Sequence, residues 1–342
     1  MEEKVSYKKR ITAYMTVALT AFTVFSMVSN SVLLKIIGSG GIINSQKVNW
    51  ILSSGTCASN LLVALITFAL GWLLTKDKVK TVRFAGAAFF GKSVGTLFSS
   101  FFTCFGQLAV NFGSLPAETI SIVILVVNLA LIPFNVFVAC QAFTAFDNIN
   151  KKFLGKGFSS FKMNLSKARI LFFVASLVSS IASVCLLSIP SMIMAFSENS
   201  FAGTFEIAFS NLASWVSVVI PFAFIYFAGY IPGKNHVEAM AFYSASAVGN
   251  ICTSILMSAS SLVIIPLSSL INKMFYNEVL NSVLGNAFNK YFSSDIATLM
   301  SSPFSVAVSF LVALYFMKFF FSKEVVSQEA QPEESYQTEK SE

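Results

Sequence analysis

Long apolar runs separated by short clusters of charge are what most restrict this chain. Crossing a bilayer as a helix takes about 20 mostly apolar residues at about 1.5 Å each. Eight runs meet that length, covering about 11–36, 50–74, 84–110, 118–146, 169–196, 206–231, 238–268 and 303–321. A soluble domain of this size carries about 25% charged residues, whereas here only 11% of 342 are charged. Such a chain cannot present a water-facing surface all round. The expectation is an all-α integral membrane protein of about eight transmembrane helices, since in lipid each span must satisfy its own backbone hydrogen bonds.

The charges then set topology. With eight spans, the start of the chain, the turns near residues 76, 156 and 234, and the C-terminal tail all share one side. That side holds 18 of the 23 Lys and Arg, while Lys35, Lys47, Lys273 and Lys290 lie opposite and Lys92 lies within the third span. Basic excess marks the cytoplasmic side. The chain is therefore expected in the cytoplasmic membrane, multi-pass, with both termini inside. Lys8, Lys9 and Arg10 before an apolar run also resemble a secretory signal, but the run is too long and lacks a small-residue cleavage site, so it reads as a retained first span. The net charge of +7 is spread over helix ends rather than one face, which argues against nucleic acid as a partner.

A duplication is written into the same pattern. Shifting by 158 positions aligns 71–104 with 229–262 without a gap. Gly71, Lys76, Val79, Phe84, Ala87, Gly91 and Ser100 then meet identical residues at Gly229, Lys234, Val237, Phe242, Ala245, Gly249 and Ser258. Those seven identities over 34 positions compare with roughly three from membrane composition alone. The expected organisation is 4+4: a first repeat over 1–150, a basic cytoplasmic connector over 151–168, and a second repeat over 169–323. Four helices per repeat is an even number, so the halves should be parallel and related by an axis along the membrane normal. The stretch 269–302 has no counterpart in the first repeat. Tyr276, Val279, Leu280, Val283, Leu284, Ala287 and Tyr291 share one helical arc there, the pattern of a helix lying at the outer interface. The acidic segment 324–342 lacks apolar periodicity and reads as a disordered cytoplasmic tail, open to a protein partner.

Enzymatic constellations are absent from the pattern. His236 is the only histidine and sits in a turn, and the five cysteines are scattered through the spans without a CxxC pair. No catalytic residue, metal site or cofactor is expected. Lys92 is the clearest intramembrane charge, and Asn250 holds the equivalent place in the second repeat. Lys92 reads in two ways: as a counter-charge for an anionic solute or lipid headgroup, or, the preferred reading, as a lysine snorkelling back to the cytoplasmic face. Asn128 and Asn135, like Asn60, Gln107, Gln141 and Asn211, line spans either as interhelical glue or along a solute path. Two rows of small residues, Ala87-Gly91-Gly95 and Ala245-Gly249-Thr253, are expected to pack the third and seventh spans against each other. The leading function is translocation of a small solute or lipid between two repeat halves, by a permease or flippase-like carrier in the bilayer. The alternative is a non-transporting subunit or scaffold of a membrane complex.

Overall fold

The computed structural model describes residues 2–39, 45–111, 113, 117–153, 167, 169–179, 181–182, 186, 200–233, 235–275, 308 and 310–320. Eight helices run through them and no strand occurs among the described residues. They are α1 (Glu2–Ser39), α2 (Ser45–Thr75), α3 (Lys78–Asn111), α4 (Ala117–Phe153), α5 (Arg169–Ser179), α6 (Ser200–Gly233), α7 (His236–Phe275) and α8 (Phe310–Phe320). Within them, Trp50–Thr75, Lys78–Asn111, Ile122–Phe146, Ala208–Pro232 and His236–Ser260 are each long and apolar enough to cross a membrane. Large apolar side chains such as Leu65, Leu73, Phe137, Ile231 and Val263 stand exposed on the outside of the bundle. The chain is thus all-helical and membrane-embedded, because a surface so apolar needs lipid against it.

Several boundaries differ from the hydropathy reading. The basic turn shrinks to Lys76 and Asp77, and α3 starts at Lys78 rather than at Phe84. The cause is local. Lys76 adopts a left-handed conformation (φ 53°), and its N–H donates to the Trp72 carbonyl at 2.8 Å, closing α2. Asp77 Oδ1 then accepts the Val79 N–H at 2.7 Å, capping α3 at once. Helix α2 likewise begins at Ser45, inside the expected loop, α4 runs on into the connector as far as Phe153, and α7 continues to Phe275. Residues 154–166 of the connector, 276–302 of the outer amphipathic stretch and the 324–342 tail lie outside the described residues. Helix α4 continues through Pro133 and α6 through Pro221, as a bundle permits when neighbouring helices shield the interrupted ladder.

Helices α3 and α7 form the centre. Every residue of α3 from Thr81 to Gly91 is buried. So is every residue of α7 from Glu238 to Gly249 except Met240 and Tyr243, which are half-buried. A helix covered on all sides can carry only small or well-packed side chains, which is why Ala and Gly recur through both stretches. Phe84 packs edge-on to Phe143 of α4 at 5.5 Å, and Phe242 edge-on to Phe172 of α5 at 5.6 Å. Phe146 of α4 meets Phe320 of α8 at 5.4 Å, joining the fourth helix to the eighth.

The same contacts recur 158 residues apart. Gly71 abuts Thr81 and Phe84, and Gly229 abuts Ala239 and Phe242. The cap of Asp77 on Val79 has its image in Asn235 Oδ1, which accepts the Val237 N–H at 2.9 Å. Thr81 N–H donates to the Asp77 carbonyl at 2.9 Å, and Ala239 N–H to that of Asn235 at 3.2 Å. Where α3 and α7 touch, a Cβ on Gly86 would stand 3.0 Å from Ser244 Cβ, and these two positions are themselves 158 apart.

The glycines of the small-residue rows pack closely onto α4 and α8. A Cβ on Gly91 would lie 2.5 Å from the Asn135 carbonyl oxygen and 2.8 Å from Ala139 Cβ, both on α4. Gly95 faces the Asn135 side chain. A Cβ on Gly249 would lie 2.7–2.9 Å from Ala313 of α8. These glycines therefore seat α4 on α3 and α8 on α7. The α3–α7 contact itself runs through Gly86, Phe90, Tyr243 and Ser244.

Candidate functional site

Depth follows from the tryptophans of α2. Trp50 and Trp72 are both exposed, and 22 residues at 1.5 Å separate them by about 33 Å, close to the thickness of a hydrocarbon core. Aromatic side chains with a polar tip favour the two interfaces. Asn60 lies 12 residues from Trp72, about 18 Å in and so near mid-depth. Its Nδ2 donates to Ser254 Oγ of α7 at 2.8 Å. The same α2–α7 seam carries Cys57 Sγ, 3.8 Å from the Ile255 carbonyl, and Trp50 Nε1, which donates to the Leu262 carbonyl at 3.3 Å.

Lys92 lies on α3, eight residues beyond Phe84, which Gly71 places at the level of the Trp72 end. It is half-buried, and its Nζ stands 5.4 Å from the ring centroid of Phe22 on α1. Phe22 also packs edge-on to Phe89 at 6.3 Å. The ammonium therefore falls at most about one turn, ~5 Å, below its own Cα, leaving it ~7 Å or more inside the level of Phe84. Snorkelling is thus partial: the charge rests on an aromatic face within the apolar layer. Lys92 makes no ion pair among the described residues. A charge at the centre of a span costs about 2.5–3.5 kcal/mol, less near an edge, and a ring face offsets about 0.5–2 kcal/mol of that.

The other expected residues go to different places. Asn128 is half-buried on α4, where its Oδ1 accepts from Ser99 Oγ at 2.9 Å and its Nδ2 donates to the Ile124 carbonyl at 2.9 Å. Asn135 is buried on α4, and its Oδ1 has no hydrogen-bond partner. That oxygen lies where a Cβ of Gly95 would be, so the glycine hydrogen points at it as a weak Cα–H···O donor. Both asparagines serve the α3–α4 seam. Asn250 stands on the exposed face of α7. Of the packing residues, Ala87, Ala245 and Thr253 are buried with their glycine neighbours, and Thr253 Oγ1 donates back to the Gly249 carbonyl at 2.9 Å.

Two charged residues escaped the sequence reading. Arg83 is 3% exposed and Glu238 4% exposed, although both sit at the basic helix ends where hydropathy assigns water. Arg83 Nε donates to the Phe319 carbonyl of α8 at 3.1 Å, so a residue of the first half bonds to the second. No signal in a single sequence marks them, because their cover comes from helices distant in the chain. Among the described residues no three His, Cys, Asp or Glu side chains gather as a metal site would need. Comparison with known protein families, with characterised proteins and with solved structures gives no match for this chain. The class is therefore defined by the fold alone, an all-helical membrane-embedded protein built round a buried helix pair.

Proposed function

We propose that the chain is a carrier of a small solute or lipid, made of two parallel four-helix halves that meet at α3 and α7. The observation that carries this reading is the contact of Gly86 with Ser244, two positions related by the 158-residue shift. Two repeats related by a twofold axis touch at equivalent residues only on that axis. The paired caps at Asp77 and Asn235 and the paired approaches of Gly71 and Gly229 support the same operator. Transporter folds are often built from such repeats, with the substrate path at their interface near mid-depth. Here the Asn60–Ser254 bond lies near that depth on the α2–α7 seam, and Lys92 lies between it and the Trp72 end of the layer.

Both termini lie in the cytoplasm in this reading. Full-length protein in proteoliposomes should move a fluorescent lipid between leaflets or take up a labelled organic anion, faster than protein-free vesicles. Single cysteines at 156 and 285 should be labelled only from the inside and only from the outside, respectively. Folded protein without either activity, co-purifying with a stoichiometric membrane partner, would instead establish the scaffold.

A further inference from the structure

The lysine within the apolar layer is placed for a ligand rather than for the fold. Each other Lys or Arg in the described helices falls within the first or last few turns of its helix. Lys92 is fourteen residues into α3, with nineteen still to follow. Among the described residues its neighbours supply no compensating anion. Phe22 offers a ring face, and the Thr96 hydroxyl is committed as donor to the Lys92 carbonyl at 2.9 Å. Ser93 Oγ donates to the Phe89 carbonyl at 2.9 Å. Three ammonium hydrogens are thus set in the apolar layer, with an aromatic surface beneath them and partial exposure above. A cation on an aromatic face still seeks a hard acceptor, because the ring satisfies its charge only in part.

The second half does not repeat this charge. Asn250 occupies the equivalent position on α7, and a neutral amide can hydrogen-bond but not neutralise an anion. The arrangement predicts one strong anion site per chain, not two.

We propose that Lys92, backed by Phe22, is an anion-binding site between α1 and α3 that takes a phosphate or carboxylate group within the membrane. This deepens the carrier reading, since it names the charge of the substrate, but binding is measured without flux. The shared chemistry has two sources: the headgroup of an anionic lipid, or a soluble anion reaching the site from the water.

The test uses full-length protein in neutral detergent, with three probes: dioctanoyl phosphatidylglycerol, dioctanoyl phosphatidylcholine and inorganic phosphate. Native mass spectrometry and thermal shift read binding to wild type, Lys92→Met, Lys92→Gln, Lys92→Arg and Lys167→Met. Lys167 is exposed and serves to measure generic loss of charge. The dissociation constant for one phosphatidylglycerol should rise roughly ten- to a hundredfold in Lys92→Met and Lys92→Gln, the loss expected for one charge-assisted hydrogen bond. Lys92→Arg should stay near wild type, Lys167→Met should change little, and phosphatidylcholine should not distinguish the variants. A Lys92-dependent response to inorganic phosphate as well would identify a soluble anion as sufficient; a response to phosphatidylglycerol alone would identify the lipid. Equal anion binding by wild type and both uncharged variants, or equal losses in Lys92→Met and Lys167→Met, overturns the proposal. Lys92-dependent binding without flux would leave the site standing and defeat only the carrier.

Discussion

Gly249→Ala tests the packing of the bundle by the sign of its effect. A Cβ at this position would stand 2.7 Å from Ala313 Cβ, 2.8 Å from Ala313 Cα and 2.9 Å from Ala313 N. Ordinary carbon contacts lie at about 3.5–4.0 Å, so α8 would have to withdraw by about 1 Å. Forcing a methyl into a filled interface costs about 1–3 kcal/mol. Replacing a helical glycine by alanine returns about 0.8–1.0 kcal/mol through backbone entropy. The net is a loss of about 0–2 kcal/mol, which at about 2 °C per kcal/mol for a chain of this size lowers Tm by up to about 4 °C. Intrinsic tryptophan fluorescence during heating in detergent provides the readout, with Trp50, Trp72 and Trp215 as reporters. Adding Ala313→Gly should restore only part of the loss, because the Cα and N of α8 stay in the way. Gly91→Ala should act in the same direction through α4, since the Asn135 carbonyl oxygen blocks the methyl at 2.5 Å. A rise in Tm of about 2 °C for Gly249→Ala, the pure helix-propensity result, would show that α8 does not cover this glycine.

Two further perturbations address other parts of the bundle. Asp77→Ala and Asn235→Ala each remove a cap on a Val N–H and should each cost about 1 kcal/mol; a loss confined to one of them, read by the same thermal assay, would break the equivalence of the two helix starts. The Asn60–Ser254 bond, at 2.8 Å, should show a coupling of about 0.6 kcal/mol, and not above about 1.7, in a double-mutant cycle of Asn60→Ala and Ser254→Ala; a coupling of zero would mean that this bond does not hold the α2–α7 seam.

What a single sequence determines here are properties that each residue or segment carries alone. Apolar runs of span length and the basic clusters between them are both local, so the helical class and the approximate helix order were legible in the sequence. Boundaries shifted where a few atoms outweighed hydropathy: Asp77 caps α3 at Lys78 and carries three basic residues into the helix. Partner choice belonged to the tertiary structure. A row of small residues announces a close approach, and helical periodicity says which face makes it, but not which helix arrives. Gly91 and Gly249 were expected to meet across α3 and α7, yet they receive α4 and α8, while Gly86 and Ser244 make the central contact. Arg83 and Glu238 follow the same logic. Their charges predict water, and only the arrival of distant helices over them makes them interior. Burial is a property of pairs of surfaces, and a single chain of letters specifies one surface at a time.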